Sequence, residues 1–159
     1  MIEHPIEPVF DEKSKVLILG SFPSVKSRET GFFYGHPQNR FWKVLAGLFG
    51  EEVPGTVPEK KAFLLRNHVA VWDVIHSCDI TGSSDSSIKN VVANDLSEIL
   101  STADIREIFV NGKKAEALYK KYIFPETKRE AVCLPSTSPA NAAWSLGRLL
   151  EAWRVVKGS

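Results

Sequence analysis

Four short apolar runs punctuate the chain: KVLILG (Lys15–Gly20), VAVWDVI (Val69–Ile75), EIFVNG (Glu107–Gly112) and EAVCLP (Glu130–Pro135). Continuous runs of this length, without alternation of polar residues, mark strands covered on both faces. Segments with helical spacing separate them. NRFWKVLAGLF brings Phe41, Trp42, Leu45, Leu48 and Phe49 near one helical face, and PEKKAFLLRNH begins near Pro58 with Ala62, Leu64 and Leu65 inward. NDLSEILSTA offers Asn94 as N-cap, and KKAEALYKKYIF is closed by Pro125. ANAAWSLGRLLEAWRVV forms a last helix anchored by Trp144, Leu149 and Trp153. Strands alternating with helices predict an α/β fold, a three-layer α/β/α sandwich around a mainly parallel four-stranded sheet. Residues 1–159 read as one domain, with residues 1–14 as an N-terminal extension.

In such a fold the ligand crevice lies beyond the carboxyl ends of the strands. Four loops converge there: Ser21–Gln38, His76–Lys89, Gly112–Lys113 and Ser136–Asn141. The first is long for a small domain and rich in aromatics, which marks it as a functional loop rather than a disordered one. A net charge of +1 advertises no global affinity for nucleic acid, although a local groove can still be positive. The two cysteines, Cys78 and Cys133, are too few for a four-cysteine cluster and fit a reducing cytoplasm. The opening MIEHPIEPVFDEKSK has no signal-peptide core, and no apolar run reaches the roughly 20 residues of a membrane span.

The chain has no phosphate-binding P-loop, no G-x-G-x-x-G and no G-x-S-x-G elbow. The Gly112-Lys113 pair reads first as a strand–helix turn with a solvated lysine. His68, His76, Cys78 and Cys133 match no zinc spacing, so no metal and no cofactor is expected. STSPAN is more informative. Ser136, Thr137 and Ser138 precede a predicted helix, where hydroxyls and free backbone N–H groups can grip a phosphate. Simple N-capping by Ser138 or Asn141 is the plainer use of the same residues. An aromatic loop facing a phosphate grip suits a nucleotide.

The string GSFPSVKSRETGFFYGHPQNRFW resembles the first motif of the uracil-DNA glycosylase superfamily, and LPSTSPANA sits at the place of its second, DNA-gripping motif. The resemblance runs from about Lys15 to Val155, with WDV, GSSDSSI and VNGKKA between the motifs. The position that in the superfamily carries a water-activating Asp or Asn is Phe22, and a phenyl ring cannot orient water. With Phe22, His36-Pro37-Gln38-Asn39 and STSPAN together, the chain looks most like the hypoxanthine-DNA (deoxyinosine) glycosylases. That resemblance implies the uracil-DNA glycosylase fold and hydrolysis of an N-glycosidic bond in duplex DNA, leaving an abasic site. It implies Asn39 as the catalytic residue. Ser21, Phe22, Tyr34, Gln38 and Asn111 would bind the base, with Tyr34 stacking on it. Ser136, Thr137, Ser138, Pro139 and Asn141 would hold and wedge the DNA. Asn39 is uncharged, so its role is to position water, and N-capping of the helix at Arg40 can coexist with it. Asp73 and Asp85 rank behind it as acidic candidates. No lysine is placed as a nucleophile, so a monofunctional, monomeric enzyme is expected. A uracil or G·U/G·T mismatch glycosylase is the nearest alternative, and a non-catalytic nucleic-acid-binding module is the alternative of another class.

Overall fold

The computed structural model describes residues 1–158. The chain opens with β1 (Ile2–Glu3), β2 (Val16–Gly20), α1 (Val25–Thr30), α2 (Phe41–Phe49) and α3 (Val57–Arg66). Next come β3 (Val69–Asp73), β4 (Ile75–Asp79), β5 (Lys89–Ala93) and α4 (Ser97–Thr102). β6 (Glu107–Asn111), α5 (Lys113–Leu118), α6 (Phe124–Thr127), β7 (Ala131–Leu134) and α7 (Leu146–Trp153) complete it. The four apolar runs supply the central parallel sheet, in the order β3-β2-β6-β7, except that the second run leaves it after Asp73 and gives Ile75 to β4. Successive side chains take opposite faces. Ile18, Val71 and Phe109 pack under α2, α3 and α7, whereas Leu17, Leu19, Ile108 and Val110 pack under α4, α5 and β4. This is the expected three-layer sandwich.

A second sheet, antiparallel and ordered β1-β4-β5, was not expected. Its strands flank the polar stretch that reads as a loop, and its outer strand is mostly exposed, so no apolar run announces it. The N-terminal segment also does more than extend the domain. β1 pairs with β4, and Val9 exchanges two 3.0 Å backbone hydrogen bonds with Val71. Ile6 and Val9 are buried in the core. The long first loop contains α1, capped by Ser24, whose Oγ accepts from Ser27 N at 3.1 Å.

Four local expectations need correction. Asn94 is not an N-cap. It is buried, and its Nδ2 donates to the carbonyls of Asp73 (2.8 Å) and Ile75 (3.1 Å), bracing the bend between β3 and β4. Pro125 does not end its helix. After a π-helical turn at Tyr119–Ile123 it occupies the first turn of α6, where its missing N–H costs nothing. Ala62 is exposed, and Phe63 and Leu64 form the inner face of α3. The last helix starts only at Leu146, because Ser145 Oγ accepts from Arg148 N and caps it there. Trp144 is half-buried before that cap, while Leu149 and Trp153 are the fully buried anchors.

The buried N-terminal segment makes a testable statement. Ile6→Ala is expected to destabilise the protein by about 2–5 kcal/mol through lost burial and a residual cavity. Urea unfolding measures it, and a loss under about 0.5 kcal/mol would show residues 1–14 to be dispensable.

Candidate active site

Strand register fixes the floor of the site. Gly20 lies opposite Asp73 and Asn111 opposite Leu134, so the carboxyl ends of β2, β3 and β6 open on one edge. Above that edge is a cleft of about 600 Å³, within the range of small-ligand pockets. Of the residues expected to form the site, it gathers Ser21, Phe22, Tyr34, Asn39, Asn111, Ser136, Thr137, Ser138 and Pro139. Gln38 and Asn141 stay outside. The Gln38 side chain is exposed, and Asn141 Nδ2 donates to Ser136 O at 3.0 Å, closing the turn from behind. His36 lines the cleft where Gln38 was expected.

Asn39 stands where the first loop becomes α2. Its Oδ1 accepts from Phe41 N at 2.9 Å, satisfying one of the free N–H groups of the first helical turn. The carboxamide is thereby fixed at the cleft wall, and Nδ2 makes no hydrogen bond among the described residues. Tyr34 adopts a left-handed backbone (φ 52°), rare for an aromatic residue. Its ring stacks on Phe41 with centroids 3.9 Å apart, so one face is already covered. Its hydroxyl is buried without a hydrogen-bond partner. Burial, and then the charge of Asp73, push the phenol far above its ordinary range, so it remains a neutral donor.

Asp73 faces the same space. It is 3% exposed, and His4 Nε2 lies 2.7 Å from its Oδ2. His4 Nδ1 accepts from Ile6 N at 3.2 Å, which leaves Nε2–H as the donor to the carboxylate. A Cβ on Gly20 would come within 2.4 Å of Asp73 Oδ1 and 2.9 Å of Tyr34 Oη; only glycine leaves room there. Phe22 lies edge-on to His4, with the Arg28 guanidinium 5.6 Å from its ring centre.

The second loop is tied to the floor and to α2. Asn111 Nδ2 donates to Thr137 Oγ1 (3.0 Å), and Thr137 N donates back to Asn111 Oδ1 (3.1 Å). Thr137 is completely buried, so the hydroxyl expected to touch phosphate is turned inward. Because the helix begins at Leu146, no helix N-terminus backs the STSPAN turn. Its outward groups are Ser136 and Ser138, each accepting a backbone N–H two residues on, with exposed Ala140 at the tip. Asp85 sits at the mouth, 3.5 Å from Ser21 Oγ, and crowding there pushes its carboxyl up.

The uracil DNA glycosylase superfamily model matches residues 7–157. This chain belongs to the uracil DNA glycosylase superfamily. It is 37% identical over 161 residues to a protein of Methanosarcina acetivorans named hypoxanthine DNA glycosylase, with 98% of each chain covered. A Methanosarcina barkeri protein of the same name is 34% identical over 110 residues, covering 68% of this chain and 70% of its own. A solution NMR structure from Methanosarcina acetivorans, described as a candidate uracil DNA glycosylase, superposes with a TM-score of 0.83 at 34% identity. That match covers 99% of this chain and 97% of the other.

Two residues that hold this glycosylase's cleft together escape a reading of the sequence. His4 is 69 positions from Asp73, and no local pattern connects them. Arg40 carried a signal, since it lies inside the HPQNRFW string, but its partners are about 100 positions away. Its guanidinium donates to the carbonyls of Ser138 (3.2 Å), Asn141 (3.0 Å) and Trp144, and its backbone N–H donates to Thr137 O at 3.1 Å. Arg40→Lys replaces a planar fork by a single point donor and strands carbonyls of the loop. It is expected to lower base-excision activity at least tenfold while costing about 1–3 kcal/mol in stability. Limited proteolysis should then cut within residues 136–144; an uncut loop would separate Arg40 from loop positioning.

Proposed function

We propose that this DNA glycosylase removes hypoxanthine from deoxyinosine in duplex DNA, as a monofunctional enzyme that leaves an abasic site. The substrate is a nucleotide rotated out of the helix, because its glycosidic bond cannot be reached inside the stack. The reading extends to a monomer working in the cytoplasm, where the free thiols of Cys78 and Cys133 stay reduced.

The observation that carries the proposal is the placement of Asn39: a neutral carboxamide, locked through Oδ1 to the start of α2, on the wall of a cleft fit for a base. In the proposed reaction the C1′–N9 bond breaks and its electron pair leaves with the purine. A water held by Asn39 adds its oxygen to C1′ and gives up a proton, which the departing purine anion takes up. An amide is too weak a base to remove that proton early, so the reaction leans on the leaving group. Hypoxanthine spreads the departing charge onto O6, which adenine cannot do, and hydrogen-bond donors fixed beforehand can meet that charge. Ser136 and Ser138 hold the flanking phosphates, and Pro139 with Ala140 enters the vacated stack.

Single-turnover excision on oligonucleotides carrying inosine, uracil or xanthine tests the substrate. Inosine should be cleaved fastest; clear uracil preference would replace hypoxanthine by uracil in this reading. Asn39→Ala should slow inosine excision about 100-fold or more. Because Oδ1 also accepts the first N–H of α2, it should cost about 1 kcal/mol of stability. Near wild-type cleavage by a folded Asn39→Ala protein would remove Asn39 from the mechanism.

A further inference from the structure

Within that reading of the cleft, one pair of groups is left without an assignment. Asp73 turns Oδ1 toward the cleft, and this oxygen accepts no hydrogen bond among the described residues. Beside it is the buried, unpartnered hydroxyl of Tyr34. Both converge on the space that Gly20 leaves empty. An acceptor and a donor therefore stand side by side, each lacking a partner in a buried place where an unmade hydrogen bond costs about 1–3 kcal/mol.

Deamination chemistry has the complementary form. Adenine presents N1 as an acceptor next to a 6-amino donor. Hypoxanthine presents N1–H as a donor next to O6 as an acceptor. The same reversal turns cytosine into uracil at N3 and the 4-substituent. We propose that Asp73 Oδ1 and Tyr34 Oη form a lactam reader, accepting from the ring N–H and donating to the adjacent carbonyl of the extruded base. An amino purine would set its bare N1 against a carboxylate and its amino group against a donor. A site with fixed polar partners rejects a mismatched edge far more strongly than shape alone can.

The reader is held from behind. His4 fixes Oδ2, so that Oδ1 points into the cleft, and it acts as a positioning residue. The Tyr34 stack on Phe41 fixes the hydroxyl. Guanine also carries N1–H and O6, so this pair does not exclude it.

Binding to uncleavable DNA isolates recognition from chemistry. Duplexes carry 2′-fluoroarabino-inosine or 2′-fluoroarabino-adenosine opposite a tetrahydrofuran spacer, so that no base pair opposes extrusion. The wild-type protein should prefer inosine at least tenfold. Asp73→Asn keeps an oxygen for His4 and turns the inward acceptor into a donor, so the preference should fall to about threefold or less. Tyr34→Phe keeps the stacked ring and deletes an unpartnered hydroxyl. It should weaken inosine binding several-fold with the melting temperature equal to or above wild type and adenosine binding unaffected, and it carries the test even where Asp73→Asn does not fold. His4→Gln, which retains a donor, should preserve discrimination that His4→Ala loses. Undiminished preference in folded Asp73→Asn, or in Tyr34→Phe, would overturn the reader while leaving the enzyme an inosine glycosylase. Failure of the wild-type protein to excise inosine from ordinary duplex overturns the parent reading instead.

Discussion

A carboxylate at the buried end of a parallel strand has to be satisfied, and the means of satisfying Asp73 organise much of this molecule. Left unpaired at 3% exposure, it would be costly enough to be protonated or to distort the strand. The donor is His4, which must therefore be carried across the edge of the main sheet. The chain does this with two residues of β1, a backbone exchange between Val9 and Val71, and the burial of Ile6 and Val9. The N-terminal segment is thus a structural consequence of one acid. The same acid accounts for Gly20, since any side chain there would strike Oδ1. After burial, which is the larger cause, its charge also keeps the Tyr34 phenol neutral.

The second organising contact is Arg40. Two loops distant in sequence must meet to make a cleft, and ordering both is entropically unfavourable. One guanidinium takes three carbonyls of the later loop while its own backbone starts the helix that follows the earlier one. Asn39, the adjacent residue, lies just outside the N-cap and accepts the first N–H of that same helix. Any displacement of the second loop is therefore felt one residue from the carboxamide assigned to water. The reciprocal Asn111–Thr137 pair extends this coupling to the end of β6. Rigid elements, rather than loop packing alone, set the geometry, as positioned chemistry requires.

Legibility followed contact range. β2, β3, β6 and β7 could be read because burial on both faces writes an uninterrupted apolar run, and the Asn39–Trp42 motif could be read because its parts are adjacent. β4 and β5 could not, since β4 takes a two-residue N-terminal strand as one partner and the exposed positions His76, Lys89 and Asn90 break any apolar run. Asn94 looked like a cap because one carboxamide can accept through Oδ1 at a helix start or donate through Nδ2, as it does here to two carbonyls; only the fold decides which partners lie within reach. Thr137 looked like a phosphate ligand beside two serines, yet its hydroxyl closes an inward pair with Asn111. Gln38 was expected at the base and Asn141 on the DNA through the resemblance alone, and neither lines the cleft. The start of α7 was anticipated too early because Ser138, Asn141 and Ser145 are all competent caps, and Ser145 is the one followed by an unbroken amphipathic face.

Recognition and rate make opposed demands on such a cleft. A carboxylate against the ring N–H separates a deaminated base from its parent, but it also disfavours negative charge on a purine that is leaving as an anion. A hydroxyl against the carbonyl has the opposite tendency, since its hydrogen bond strengthens as charge moves onto oxygen. Pairing the two lets the acceptor act on binding, when the base is neutral, and the donor act as the bond breaks. The His4 Nε2–H held on Oδ2 draws density from the same carboxylate and softens its opposition. In the proposed mechanism an amide directs the water and no strong base acts at C1′. There the rate comes from the leaving base, and the proposed reader is where the two demands are balanced.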